Sequence, residues 1–177
     1  MAEDRISRRA RILAVATTVL MILVPITALI ALGTGSIDAD TLRATYGVTT
    51  LPDDIGTGPT FVWITVEAVR MALFLWLLWL VRSWLRACAS GQVFAGHTAR
   101  QVQRIGAGLL ALAAAHIVGN TIIIAALTWN NPPGERSLAI GFGSADCLML
   151  LAAGLMTLFG WIHAEAARLS AENEGFV

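Results

Sequence analysis

From Arg82 to Arg104 the chain reads RSWLRACASGQVFAGHTARQVQR, carrying Arg82, Arg86, Arg100 and Arg104 and no acidic residue. Two long apolar runs precede this stretch and two follow it. Membrane proteins concentrate Arg and Lys in their short cytoplasmic loops, so a basic connector midway between four apolar runs is expected to be a cytoplasmic hinge. Ser90-Gly91-Gln92-Val93-Phe94 breaks the helix leaving the membrane, and His97 to Arg104 form a basic segment leading into Ile105-Gly106.

The apolar runs set the fold class: all-α, an integral membrane four-helix bundle. Crossing the ~30 Å hydrocarbon core takes about 20 helical residues. The expected spans are 12–32, 61–81, 105–128 and 138–162, within a single membrane domain over 1–177. Of the 177 residues 56% are hydrophobic and 14% charged, where a soluble domain averages about 25% charged; mean hydropathy is +0.71. Too little chain lies outside the spans for a separate soluble domain. The first span follows Arg5, Arg8, Arg9 and Arg11, as a signal peptide would. Its apolar core is longer than the usual ~7–15 residues and its exit, IALGTGS, has no Ala-x-Ala site, so it is expected to stay as a span. Pro25 removes one backbone bond there and is a candidate kink.

Residues 33–60 form an acidic outer loop with Asp38, Asp40, Asp53 and Asp54. Within it SIDADTLRATYG suits a short helix capped by Ser36 or Asp38. No calcium-loop spacing is present. A short turn, WNNPPGERS, joins the last two spans. The tail, 163–177, is expected to continue as a helix at the membrane surface. All twelve basic residues are Arg. Those near span ends cluster at the amino terminus, the hinge and Arg168, whereas the opposite loops hold only Arg43 and Arg136. Both termini are therefore expected in the cytoplasm. Trp63 and Trp129 fall at the outer boundary and Trp79, Trp84 and Trp161 near the inner one, as aromatic belts do.

Inside the spans lie Glu67, Arg70, His116, Asn120 and Asp146. Counted from the outer ends at 1.5 Å per residue, they share a layer roughly 10–18 Å deep. Ionisable groups there cost ~2.5–3.5 kcal/mol each on insertion scales unless they find partners, so they are expected to meet inside the bundle. Two readings are open. One is a structural lock that pairs Glu67 with Arg70 and Asp146 with His116 or Asn120. The other is a proton, cation or small-ligand site with Glu67 and Asp146 as carboxylates, Arg70 as countercharge and His116 as relay. Gly119 shares a face with His116 and Asn120 and lets a neighbour approach closely.

Enzyme signatures such as HExxH, GxSxG, a P-loop or GxGxxG do not occur. No catalytic residue, cofactor or metal site is expected, and His97, His116 and His163 fall at different heights. Cys88 and Cys147 lie on opposite sides of this topology and are expected as separate thiols. Zero formal net charge implies no direct nucleic-acid partner.

The hinge pattern Gly91, Phe94, Arg104, Ile105, Gly106 and the tail pattern Glu165-Ala166-Ala167-Arg168-Leu169, Glu172-Asn173, Phe176-Val177 resemble an uncharacterised family of bacterial four-helix membrane proteins, known as a domain of unknown function. The family usually has Asn where this chain has Thr98, and Thr-Val where it has Phe176-Val177. Its members are often encoded beside a small Cro-like helix-turn-helix regulator. The resemblance implies a regulatory or scaffolding role in the inner membrane. The hinge residues Arg82, Arg86, Phe94, Arg100 and Arg104, with Arg168, Glu172 and Asn173 of the tail, are themselves expected contacts to a cytoplasmic partner or to lipid headgroups; self-association is a further option. A small transporter or proton-coupled sensor built on the polar layer is the alternative. A phosphatase reporter active only outside the cytoplasm is expected to work when inserted at Asp53 and to be silent at Gly91 or after Val177; the reverse pattern would refute this topology.

Overall fold

Hydrocarbon offers no hydrogen-bond partner to a backbone N–H or C=O, so a chain this apolar is driven to satisfy its backbone within helices. The computed structural model describes residues 2–34, 39–48, 55–91, 96–132, 136 and 139–174, with backbone alone at 2–6, 96, 167 and 170–174. Among these residues lie α1 (Ala2–Gly33), α2 (Ala39–Tyr46), α3 (Thr57–Ala89), α4 (Gly96–Thr128) and α5 (Ser144–Glu174). Side-chain hydroxyls obey the same constraint. Thr17, Thr18, Thr65, Thr121, Thr128 and Thr157 each donate to the carbonyl four residues back, at 2.8–3.0 Å.

The fold is an all-α bundle of four long apolar helices, joined by the short α2. The helices pack in chain order: α1 on α3, α3 on α4, and α4 on α5. Their apolar faces point outward. Only 11% of the apolar window of α1, α3 and α5, and 22% of that of α4, is buried inside the protein. Ile12, Val15, Val19, Leu23 and Ile30 on α1 and Leu148, Leu151, Leu155, Phe159 and Ile162 on α5 are exposed. Continuous apolar surface of that extent is untenable in water and ordinary in lipid. Four of the helices are long and apolar enough to cross a membrane, as those of a multi-pass membrane protein are.

Two apolar clusters fill the interior. At one end α2 lies over the bundle and buries Leu42, with Val48, against Ile123, Ile124 and Leu127 of α4. Its polar side carries an exposed Arg43–Asp40 pair at 2.7 Å. Toward the other end Leu77, Leu80 and Ile105 are packed with Val81, Trp84, Leu109, Leu112 and Met156. At the hinge, α3 stops at Ala89 and Gly91 takes φ 81°, a left-handed value that glycine accepts cheaply. Arg82 and Arg86 thus lie on α3, and Arg100 and Arg104 on α4. Ser36, Asp38, Asp53, Asp54, Phe94, Phe176 and Val177 lie outside the described residues. Along α1, the helix continues through Pro25. Cys88 and Cys147 are both free thiols.

The fourth span differs from its expected start. Residues 139–143 are not helical, and α5 begins at Ser144 rather than 138. The cause is local. The Asp146 carboxylate turns back to accept from the Gly143 backbone N–H at 2.8 Å, one half of a capping box. Asp146 therefore sits in the first turn of its helix, not two turns along it.

α4 and α5 approach closely because glycines face the seam. A Cβ at Gly106 would lie 2.6 Å from the Thr157 hydroxyl and 3.0 Å from its backbone nitrogen; one at Gly160 would lie 2.5 Å from Gln103 Cγ and 3.0 Å from the Gln103 nitrogen. At Gly154, on the same helix, an added Cβ would meet nothing within 4 Å. Gly160→Ala is thus expected to cost about 1–3 kcal/mol by overpacking. Gly154→Ala should be neutral or stabilise by up to ~1 kcal/mol. Unfolding in detergent that orders the two variants the other way would refute this seam.

Candidate functional site

Between the two apolar clusters the expected polar residues do meet, and Arg70 of α3 is the hub. Its Nη1 donates to Glu67 Oε1 at 2.7 Å. Nη2 donates to Asn120 Oδ1 at 2.7 Å and to the His116 carbonyl at 2.9 Å, and Nε reaches the Ala115 carbonyl at 3.4 Å. Glu67 is one turn before Arg70, so the ion pair forms within α3. The remaining three bonds cross to α4.

That crossing requires Gly119. A Cβ there would lie 2.6 Å from Arg70 Nη2, 2.9 Å from Nε and 2.7 Å from Val66 Cγ1. The glycine leaves the α4 surface bare where the planar guanidinium lies across it. Sequence spacing foresees a close approach at Gly119; the approaching group is the guanidinium as well as Val66.

Between α4 and α5, His116 Nδ1 and Asp146 Oδ1 lie 2.6 Å apart. The Asp146 side chain is 2% exposed and that of His116 38%. One Asp146 oxygen thus engages the His116 ring and the other caps α5. Of the two partners open to Asp146 in the sequence, the fold selects His116, because Asn120 is turned toward Arg70.

Two residues join the layer without any signal in the sequence. The Tyr46 hydroxyl, at the end of α2, donates to Glu67 Oε1 at 3.0 Å and accepts from Trp63 Nε1–H at 3.1 Å. Tyr46 lies 21 residues from Glu67, in a loop whose composition says only that it is solvated. Trp63 reads as a belt residue. What links them is the way Leu42 seats α2 on α4.

The layer borders two cavities. One, of about 300 Å³, lies beneath α2 and is lined by Thr45, Tyr46, His116, Asn120, Ile124 and residues 141–146. The other, of about 260 Å³, is lined by Val24 of α1, Glu67, Arg70, Met71, Phe74, Leu112, His116 and Met149. His116 is common to both.

The hinge and tail residues do not join this layer. Arg86, Arg100 and Arg104 are exposed. Arg82 is half-buried, with its Nε lacking a hydrogen bond among the described residues, as do Trp84 Nε1 and Gln101 Oε1. Arg168 pairs with Glu165 at 2.8 Å on the exposed α5 tail. Glu172 and Asn173 lie on α5, with only their backbone described. No family model, curated protein or solved structure matches this chain.

Burial pushes the Tyr46 phenol above its ordinary value, and the charge of Glu67 pushes it the same way. The neutral phenol is therefore favoured in the folded state. Its contribution to holding α2 is complete below the unfolded value of about 10 and is lost as pH rises through the higher folded value. Tyr46 is the one tyrosine in the chain, so tyrosinate absorbance reports it alone. The folded protein is expected to titrate above the denatured control, and Glu67→Gln to bring the midpoint part of the way down. Coincident folded and denatured curves would refute this contact. Tyr46→Phe removes a donor and should cost about 0.5–1.5 kcal/mol, read as faster amide exchange across 39–46.

Proposed function

We propose that this chain is a non-enzymatic regulatory or scaffolding protein of the bacterial inner membrane, with both termini and the hinge in the cytoplasm. On this reading the α2 end faces outward, and the polar layer is the receiving element. The exposed hinge arginines and the α5 tail form the delivering surface. The resemblance of hinge and tail to the four-helix family supplies the kind of partner: a small helix-turn-helix regulator held at the membrane. Such a regulator keeps a basic face for DNA and must dock by another surface.

One observation carries the proposal. α5 runs unbroken from Asp146, locked to His116, to Glu174 beyond the exposed Arg168–Glu165 pair. A shift at its first turn is therefore passed to the tail by a rigid element rather than through a loop. The apolar cluster of Leu77, Leu80, Ile105 and Met156 lies between the polar layer and the hinge. Packing of that kind suits a receiver closed on its inner side.

The test is co-purification from native membranes in gentle detergent, with mass spectrometry of what accompanies the protein. A small helix-turn-helix protein is expected. Arg100→Glu with Arg104→Glu should reduce its recovery roughly tenfold, about 1.4 kcal/mol, while insertion is unchanged. Purification of the chain alone or only with itself would overturn the proposal.

The transporter reading is favoured by one feature, the position of His116 between two cavities. Glu67→Gln with Asp146→Asn decides it. Unchanged ion and proton flux in liposomes, with folding intact, excludes transport through this layer.

A further inference from the structure

We infer that His116 is a proton-binding site reached from the α2 end, and that its charge state sets how firmly α4 holds the first turn of α5. The effect on the tail rests on the regulatory reading above; the site itself does not.

The charges of the layer lead to this assignment. α3 contributes Arg70 and Glu67, α5 contributes Asp146, and α2 contributes the Tyr46 phenol. α1 brings the apolar Val24 to the cavity wall. Both carboxylates are engaged as acceptors: Glu67 by Arg70 and Tyr46, Asp146 by the Gly143 N–H and the His116 ring. With Arg70 cationic, two negative charges face one positive charge unless His116 is protonated. An unbalanced charge away from water is costly. A proton on His116 balances the layer while leaving every carboxylate contact in place.

The ring is arranged to take that proton. A carboxylate at 2.6 Å requires a donor, so Nδ1 carries its hydrogen toward Asp146. Nε2 makes no hydrogen bond among the described residues, and the ring lines the cavity beneath α2. A proton entering there adds to the Nε2 lone pair; Nδ1–H stays on Asp146, and no bond breaks. Toward the hinge, Met71, Phe74, Leu112 and Met149 wall the second cavity with apolar atoms.

Protonation turns the neutral donor facing the Asp146 carboxylate into a cationic one, adding an ion pair to a hydrogen bond that the carboxylate already assists. Because the same carboxylate caps α5, the tightened bond is transmitted directly to the start of that helix.

The test uses the full chain in liposomes with nitrogen-15-labelled histidine, and the three rings are assigned with the help of His116→Gln. The pH on one side is stepped between about 5 and 8 while the other is held constant. The His116 ring is expected to change protonation with the bath on the α2 side alone. Amide exchange over Ser144–Cys147 should accelerate about threefold or more in the deprotonated state, and Asp146→Asn should abolish that pH dependence. A ring that stays in one state throughout, or follows the hinge-side bath, overturns the site. A ring that titrates while α5 exchange stays constant overturns the coupling. Titration as expected with no co-purifying regulator would refute the regulatory reading and leave the proton site standing.

Discussion

A guanidinium held in the apolar interior of a membrane bundle must be surrounded by acceptors, and the arrangement of Arg70 follows from that need. Glu67, placed one turn earlier on the same helix, supplies the countercharge. It offers two oxygens, and a single carboxylate does not saturate five N–H donors. Asn120 and the carbonyls of Ala115 and His116 make up the difference. Those carbonyls belong to a neighbouring helix whose surface is left bare beside them by Gly119. The register of α3 against α4 is thereby set by one side chain and one missing side chain.

The same layer governs the two outer elements. α2 is tied down by burial of Leu42 and by the Tyr46 hydroxyl on Glu67. α5 is tied by Asp146, which serves both as the partner of His116 and as the cap of its own helix. A carboxylate at a helix N-terminus is also favourably placed against the helix dipole. Asp146 couples the state of the layer to where α5 begins, so the late start of that helix is a consequence of the network.

The polar layer lies between two apolar clusters, one under α2 beside a cavity and one extending toward the hinge. Near the hinge, Gly106 and Gly160 let α4 and α5 come into close contact.

Local chemistry made much of this legible in the amino-acid sequence. Four apolar runs of membrane-crossing length, the hinge break at Ser90-Gly91 and the Glu67–Arg70 pair follow from hydropathy, glycine and helical spacing alone. Depth counting from the span ends also places Glu67, Arg70, His116, Asn120 and Asp146 near one another, since helical rise is uniform. It errs for Asp146 in detail: that residue lies at the right level, but in the first turn of a helix that begins late. Which partner each group takes was decided by the fold. His116 rather than Asn120 for Asp146, Tyr46 on Glu67 with Trp63 on Tyr46, and Arg70 on bare α4 carbonyls depend on helix rotation and on where α2 lies. Rotation and placement arise from side-chain packing between segments distant in the chain, and no local pattern encodes them.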